Sequence, residues 1–338
     1  MKVMKFGGSS LATAKHFVEV VQLVEQNNEA TAVVCSAPMG ITNELVELVT
    51  LLNQQNSWES LLDRISEQLL TLVVECGELR AGFDVTLSQQ QTTELLEQLR
   101  RWANGCQLLG HCPRSTAAQI MATGEKFSAL LLAGLLRSQH EVEVLNPATF
   151  ILVDGDSDDP VVNLTRCQET FKTAHQKPAK LLVMPGFYGA TIDGQLVTLG
   201  RNGSDYSAAI LATCLGARVC EIWTDVDGIY NVDPRLEDQA QLIARMSYQE
   251  AMELAYFGAK VLHPKTITPL AKQHIECHIK NTLNPAHQGT IISAETSAEK
   301  SIKAISNLSD VAMINVSGPG MKGMVGMAAR GFAALAGA

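Results

Sequence analysis

The sequence predicts an α/β protein with a mainly parallel central sheet covered by helices on both faces. Short β-rich runs (KVMKF, TAVVCSA, LLVMPGF and EIWT) each stop at Gly, Pro, Ser or Asp, and long stretches of helical periodicity lie between them. The runs are continuously apolar rather than alternating, which marks strands buried on both faces, as in parallel sheets whose crossovers are helices. Ligands of such sheets bind beyond the carboxyl ends of the strands, where the Gly-, Ser- and Asp-rich punctuation of this chain falls.

Composition agrees. At 338 residues the chain is too long for one ordinary core, so one large domain and a smaller piece are expected. Hydrophobic residues make up 46%, charged residues 18% and aromatics only 5%, the make-up of a well-buried α/β chain. A formal net charge of -9 argues against coating nucleic acid or anionic membrane as its main task. The eight cysteines form no C-x-x-C and mostly sit in apolar runs, which reads as buried free thiols in a reducing cytoplasm. The longest apolar stretch, from Ala129 to Leu136, is too short to span a bilayer. A cytoplasmic protein with neither a membrane nor a nucleic-acid partner is the expectation.

Along the chain, KVMKF reads as a strand and GGSS as its exit. Lys5 precedes Gly7 and Gly8, the reverse of a P-loop, in which the lysine follows the glycines. The glycines let the backbone turn with N–H groups exposed, Ser9 can cap the next helix, and Lys5 supplies a point charge. A plain strand-to-helix turn with a surface lysine is the alternative. Ala14 to Gln26 carries Phe17, Val20, Val21 and Val24 at helical spacing, and Leu61 to Val74 and Leu87 to Trp102 read the same way. SAPMGITNEL places Ser36, Thr42 and Asn43 in a strand-to-helix loop. MATGEKFSALLL puts Glu125 at the head of an apolar helix, to face an ammonium group or merely to favour the helix dipole.

In LGRNGSDYSAAILATCLGA, Arg201, Ser204 and Asp205 bunch where a helix apolar nearly all round begins. Such a helix must be buried, so its N-terminus is a fixed, partly desolvated place, and three polar groups exceed what capping requires. EIWTDVDGIYNVDPR ends a strand at Thr224 and Asp225. Turn chemistry explains its DG and DP pairs but not Thr224, Tyr230 and Arg235 together, which suit a nucleotide. YFGAKVLHP adds Lys260 beside a Gly-Ala turn, a second phosphate lysine or a snorkelling surface one.

Three look-alikes fail. SGPGMKG has G-x-G-x-x-G at Gly318, Gly320 and Gly323, but the sequence stops before the acidic residue expected about twenty positions on, so the motif alone is a weak signal. VDGDSDDPVVNLT lacks the glycine and glutamate of a calcium loop. HIECH lacks the zinc motif's order and reads as a strand. A boundary is expected between Thr296 and Ser301, where the chain turns polar and small before the strand VAMINVS.

Taken in order, KFGGSS, SAPMGITN, TGEKFS, GRNGSDYSAA, WTDVDGIYNVDPR and FGAKVLHP resemble the aspartokinases of the amino-acid kinase family, over Met1 to about Ile292. Within it, the chain is most similar to the kinase portion of threonine-sensitive bifunctional aspartokinase–homoserine dehydrogenases. The resemblance implies a three-layer α/β/α amino-acid kinase fold over residues 1–296 and the truncated start of an ACT regulatory domain over 302–338, with no homoserine dehydrogenase domain. It implies transfer of the ATP γ-phosphoryl group to the side-chain carboxylate of L-aspartate, with Mg²⁺ arriving on ATP. Lys5 and Asp205 match the catalytic pair. Gly7, Gly8, Ser9, Thr224, Asp225, Tyr230, Arg235 and Lys260, with Lys5, match the nucleotide and phosphate site. Ser36, Thr42, Glu125, Arg201 and Ser204 match the aspartate site, Glu125 facing the amino group and Arg201 a carboxylate. Asn202 departs from the glycine of many relatives. A homo-oligomer is implied, as is threonine as effector of the full-length enzyme, its inhibition weakened here by an incomplete pocket. Other family members phosphorylate glutamate, N-acetylglutamate, carbamate or UMP. A nucleotide-binding but catalytically silent fragment is the alternative, against which stand Lys5, Arg201, Asp205 and Lys260.

Overall fold

The computed structural model describes residues 1–27, 29–154, 160–175, 181–256, 262–295, 303–305 and 325–336. Twelve strands are present among them: β1 Lys2–Phe6, β2 Thr31–Cys35, β3 Glu143–Val144, β4 Leu152–Asp154, β5 Val161–Val162, β6 Leu181–Pro185, β7 Tyr188–Thr191, β8 Leu196–Thr198, β9 Val219–Thr224, β10 Arg245–Ser247, β11 Glu276–Asn281 and β12 Thr290–Ser293. The helices are α1 Ala14–Glu25, α2 Ile41–Asn53, α3 Glu59–Leu79, α4 Val85–Leu109, α5 Arg114–Met121, α6 Thr123–Arg137, α7 Leu164–Ala174, α8 Gly203–Leu215, α9 Tyr248–Tyr256, α10 Pro264–Lys272 and α11 Met327–Ala336.

An eight-stranded sheet runs in the order β10-β12-β11-β9-β1-β2-β6-β3. Its strands pair in parallel from β11 through to β3, β12 is antiparallel to β11, and β10 pairs in parallel with β12. The side-chain period of two then sends alternate residues to opposite faces. Met4, Phe6, Val33, Cys35 and Val183 pack against α1, α2, α3, α4 and α6. Val3, Ala32, Val34, Leu182 and Met184 pack against α7, α8 and α10. Two separate cores on one sheet are the predicted three-layer α/β/α arrangement.

A second, four-stranded sheet, β5-β4-β7-β8, was not anticipated. Its strands are two to four residues long, too short for a periodicity signal. The helices expected around Phe17, Leu61–Val74 and Leu87–Trp102 are present as α1, α3 and α4. His278 lies on strand β11, as its sequence suggested. All eight cysteines are free, and six of them are buried. No helix among the described residues is long and apolar enough to cross a membrane.

The chain divides into two compact units, Met1–Ser306 and Asn307–Ala338. The second contains α11, whose Phe332 and Leu335 are exposed. The boundary expected near 296–301, the strand VAMINVS and the glycines 318, 320 and 323 lie outside the described residues.

The first core is anchored at Trp58, which is buried just before α3 while its indole N–H donates to Gln107 Oε1 on α4 at 3.0 Å. Trp58→Ala removes both packing and bond, and should lower unfolding free energy by about 3–5 kcal/mol in a guanidinium titration.

Candidate active site

Lys5 lies next to last on the central strand β1, with Val34 and Ile222 opposite it on the neighbouring strands. Alternation directs it to the α8 face, into surroundings that cannot solvate an ammonium. The partner is Asp205, on the first turn of α8: Lys5 Nζ lies 2.6 Å from Asp205 Oδ1, and the residues are only 8% and 5% exposed. A carboxylate there also gains from the helix dipole. Asp205 is not the N-cap residue itself: that is Asn202, in the left-handed region at φ 56°. Its side-chain amide reaches Asp205 Oδ2 at 3.4 Å.

Two close approaches fix this corner. Gly186, following β6, faces Ser204 so closely that an added Cβ would lie 2.7 Å from the serine Cβ. The next residue, Phe187, holds φ 79° and donates its N–H to the Ser207 hydroxyl at 2.9 Å. On the other helical layer, a Cβ at Gly124 would lie 2.5 Å from Ala37 Cβ. That contact seats the first turn of α6 on the loop after β2 and brings in Glu125, which is 2% exposed. Burial pushes the Glu125 carboxyl up to about 7, against the Ala37 and Glu125 backbone N–H groups and the Lys5 charge, all of which favour ionisation. Its Oε2 is buried without a hydrogen-bond partner among the described residues. A carboxylate in that state is suited to receive a cation.

The parallel ladder continues into the loops. Gly7 N–H donates to Trp223 O, Ser36 N–H to Phe6 O, Gly186 N–H to Cys35 O and Thr282 N–H to Thr224 O. The four strand exits therefore stay in register around Lys5. Two expectations need correcting here. The Gly7 N–H is not exposed for an anion, because Trp223 accepts it. Ser9 does not cap the following helix: it opens a short 3₁₀ turn without a capping bond, and Thr13 caps α1 by accepting from His16 N–H.

Around Lys5, Asp205 and Glu125, Ser204 is buried and Ser36 half-buried just after β2. Thr42 is half-buried in the first turn of α2 rather than in the loop before it. Gly8 is half-buried beside Gly7, and Arg201 is exposed on the turn before α8. On the far side of β1, Thr224 ends β9 and donates its hydroxyl to the exposed Asp225 at 3.0 Å. Tyr230 is half-buried and bridges to Leu242, whereas Arg235 is exposed and held by Asp233 at 2.6 Å. Lys260 lies outside the described residues. Sequence reasoning missed Gly186, Phe187 and Ser207, although a glycine ending an apolar strand in LLVMPGF was the available signal.

The frame of the site is a mainly parallel α/β/α layer whose central strand brings Lys5 to the strand exits, where it pairs with Asp205. The sequence profile of the amino acid kinase family matches residues 1–281, and the chain belongs to that family. It is 41% identical over 342 residues to the bifunctional aspartokinase/homoserine dehydrogenase of Haemophilus influenzae, covering 100% of this chain and 42% of that protein. The counterpart from Buchnera aphidicola is 38% identical over 327 residues, covering 95% and 40%. The chain thus spans about two-fifths of the length of these relatives. Escherichia coli aspartokinase III, solved in complex with aspartate and ADP, superposes with a TM-score of 0.80 at 27% identity, over 90% of this chain and 67% of that one.

The raised Glu125 pKa makes a signed prediction. The buried carboxyl ionises near 7 and the unfolded one near 4.5, so it weakens the fold progressively as pH rises between those values. Glu125→Gln should therefore match the wild type in stability at pH 4 and exceed it by about 3 kcal/mol at pH 8. Thermal unfolding across that range checks it, and a pH-independent difference would contradict it.

Proposed function

We propose that this chain is the kinase portion of an aspartokinase, transferring the γ-phosphoryl group of ATP to the side-chain carboxylate of L-aspartate to give 4-phospho-L-aspartate. The observation that carries the reading is the buried Lys5–Asp205 pair beside Glu125, a buried carboxylate with one oxygen unpartnered among the described residues. Glu125 Oε2 takes the substrate ammonium. Arg201, Ser36, Thr42 and Ser204 hold its carboxylates, the exposed guanidinium swinging inward to form a bidentate pair. Lys5 lies against the γ-phosphate, and Asp205 holds the ammonium in place between turnovers.

A side-chain carboxylate is ionised at neutral pH, so no general base is needed. One of its oxygens forms the new bond to Pγ while the bond from Pγ to the β–γ bridging oxygen breaks and its electron pair leaves with ADP. Positioning and charge stabilisation are the protein's whole task, which suits lysine, aspartate and backbone N–H groups. Thr224, Asp225, Tyr230 and Arg235, with Gly7, Gly8, Ser9 and Lys260, serve the nucleotide. Mg²⁺ would enter on the ATP phosphates; Asp205 is committed to Lys5, so the donor set fits a metal held by phosphate oxygens rather than by a protein cage.

In this reading the reaction opens the aspartate route to threonine, methionine and lysine in the cytoplasm. Residues 302–338 begin an ACT domain of a longer bifunctional, homo-oligomeric polypeptide whose effector is threonine. The likeness in sequence to the bifunctional relatives supports the bifunctional context.

Hydroxylamine traps the acyl phosphate as a hydroxamate. With ATP, Mg²⁺ and L-aspartate the wild type should yield aspartate-dependent hydroxamate, and Lys5→Met should cut kcat by about a hundredfold or more. Because that variant strands a buried carboxylate, Lys5→Met/Asp205→Asn is the folded control and should be equally inactive. Nucleotide binding without hydroxamate from the wild type would favour a silent fragment.

A further inference from the structure

The nucleotide-side loop after β9 is fixed from two directions, and the second comes from far along the chain. Its stem closes on itself, because Ile243 N–H donates to Ile229 O at 2.8 Å and Asn231 N–H to Gln241 O at 2.9 Å. Buried Thr290 on β12 locks the base, accepting from Ile229 N–H at 2.8 Å and donating to Ile243 O at 2.7 Å. One residue beyond Tyr230, the carbonyl of Asn231 accepts from Ile305 N–H at 2.7 Å. Two residues before Ile305, Lys303 Nζ lies 2.7 Å from Glu250 Oε1 on α9, and its side chain is only 15% exposed.

Glu250 is itself held, for its Oε2 accepts from Ser247 N–H at 2.8 Å. Burial works against ionisation there, yet Lys303 and Ser247 keep the carboxyl below its ordinary range. Tyr230 thus sits between one neighbour tied to β12 and another tied to residues 303–305.

We infer that residues 303–305 act as a strap that positions the nucleotide-side loop, with Lys303 as the positioning residue that fastens it through Glu250. The inference rests on reading Tyr230 and its neighbours as the nucleotide site. It makes ATP affinity depend on a side chain that touches no substrate, and it separates that dependence from acceptor binding on the other side of β1. A merely stabilising surface pair would move neither KM selectively.

The test is charge reversal in the full chain. Lys303→Glu and Glu250→Lys should each raise the KM for MgATP by about tenfold, with the KM for L-aspartate and kcat within about twofold, and the double swap Lys303→Glu/Glu250→Lys should recover most of the loss. Hydrogen exchange of the amides in residues 229–243 should quicken in Lys303→Glu and return towards wild type in the swap. Unchanged KM for MgATP in Lys303→Glu, or no recovery in the swap, overturns the strap. Failure of the wild type to bind MgATP would instead sink the nucleotide-site reading; exchange rates then judge the strap alone, and equal rates in wild type and Lys303→Glu refute it.

Discussion

The arrangement of this molecule turns on one constraint: a lysine placed on the central strand of a sheet buried on both faces. An ammonium between Val34 and Ile222 cannot stay desolvated without an opposite charge. That charge must come from the helical layer its side chain faces, and must come without a flexible linker. Asp205 meets the requirement only because α8 is apolar enough to be sunk against the sheet with its N-terminus at the strand exits. The pair is therefore a statement about layer packing as much as about chemistry. Coulombic attraction alone is a poor reason to bury two ions, since desolvation offsets most of it. In the function proposed above, its value lies in holding an ammonium, already desolvated, where the phosphate charge would arrive.

The same economy of parts governs the other layer. Glu125 reaches the strand exits because α6 begins against Ala37, an approach that leaves no room for a side chain at Gly124. Burial then does two things to one carboxyl: it raises the pKa and leaves an oxygen without a partner among the described residues. Both are unfavourable for folding and both are relieved by a bound ammonium. Two helical layers thus contribute one acidic group each, and β1 supplies the cation between them.

Beyond β1 the loops obey a different rule. Thr224, Tyr230 and Arg235 are half-buried or exposed, and the loop that carries Tyr230 is held through its neighbours, Ile229 by Thr290 on β12 and Asn231 by Ile305. Glu125 and Asp205 ride on helix N-termini packed into the core, whereas Tyr230 rides on a loop braced from distant parts of the chain. The first kind of placement is rigid by packing, and the second can be altered by whatever moves the brace.

The main buried strands, the long helices at Phe17, Leu61–Val74 and Leu87–Trp102 and the polar residues that end the strands were legible in the sequence, because period and punctuation are local properties. So were Lys5, Glu125, Ser204 and Asp205 as an interesting set, since each interrupts an apolar pattern where the backbone must turn. Residues that only position others were not legible. Gly186, Ser207, Thr290 and Lys303 look like ordinary turn, helix, strand and surface residues until the chain brings Ser204, Phe187, Ile229 and Glu250 beside them. Nor could sequence tell that Gly7 spends its N–H on Trp223, or that Thr13 rather than Ser9 caps α1. Local pattern alone says which groups are available and near which strand ends they stand. Tertiary structure decided which of them meet, because contact across the layers depends on helix depth and on distances that no local pattern encodes.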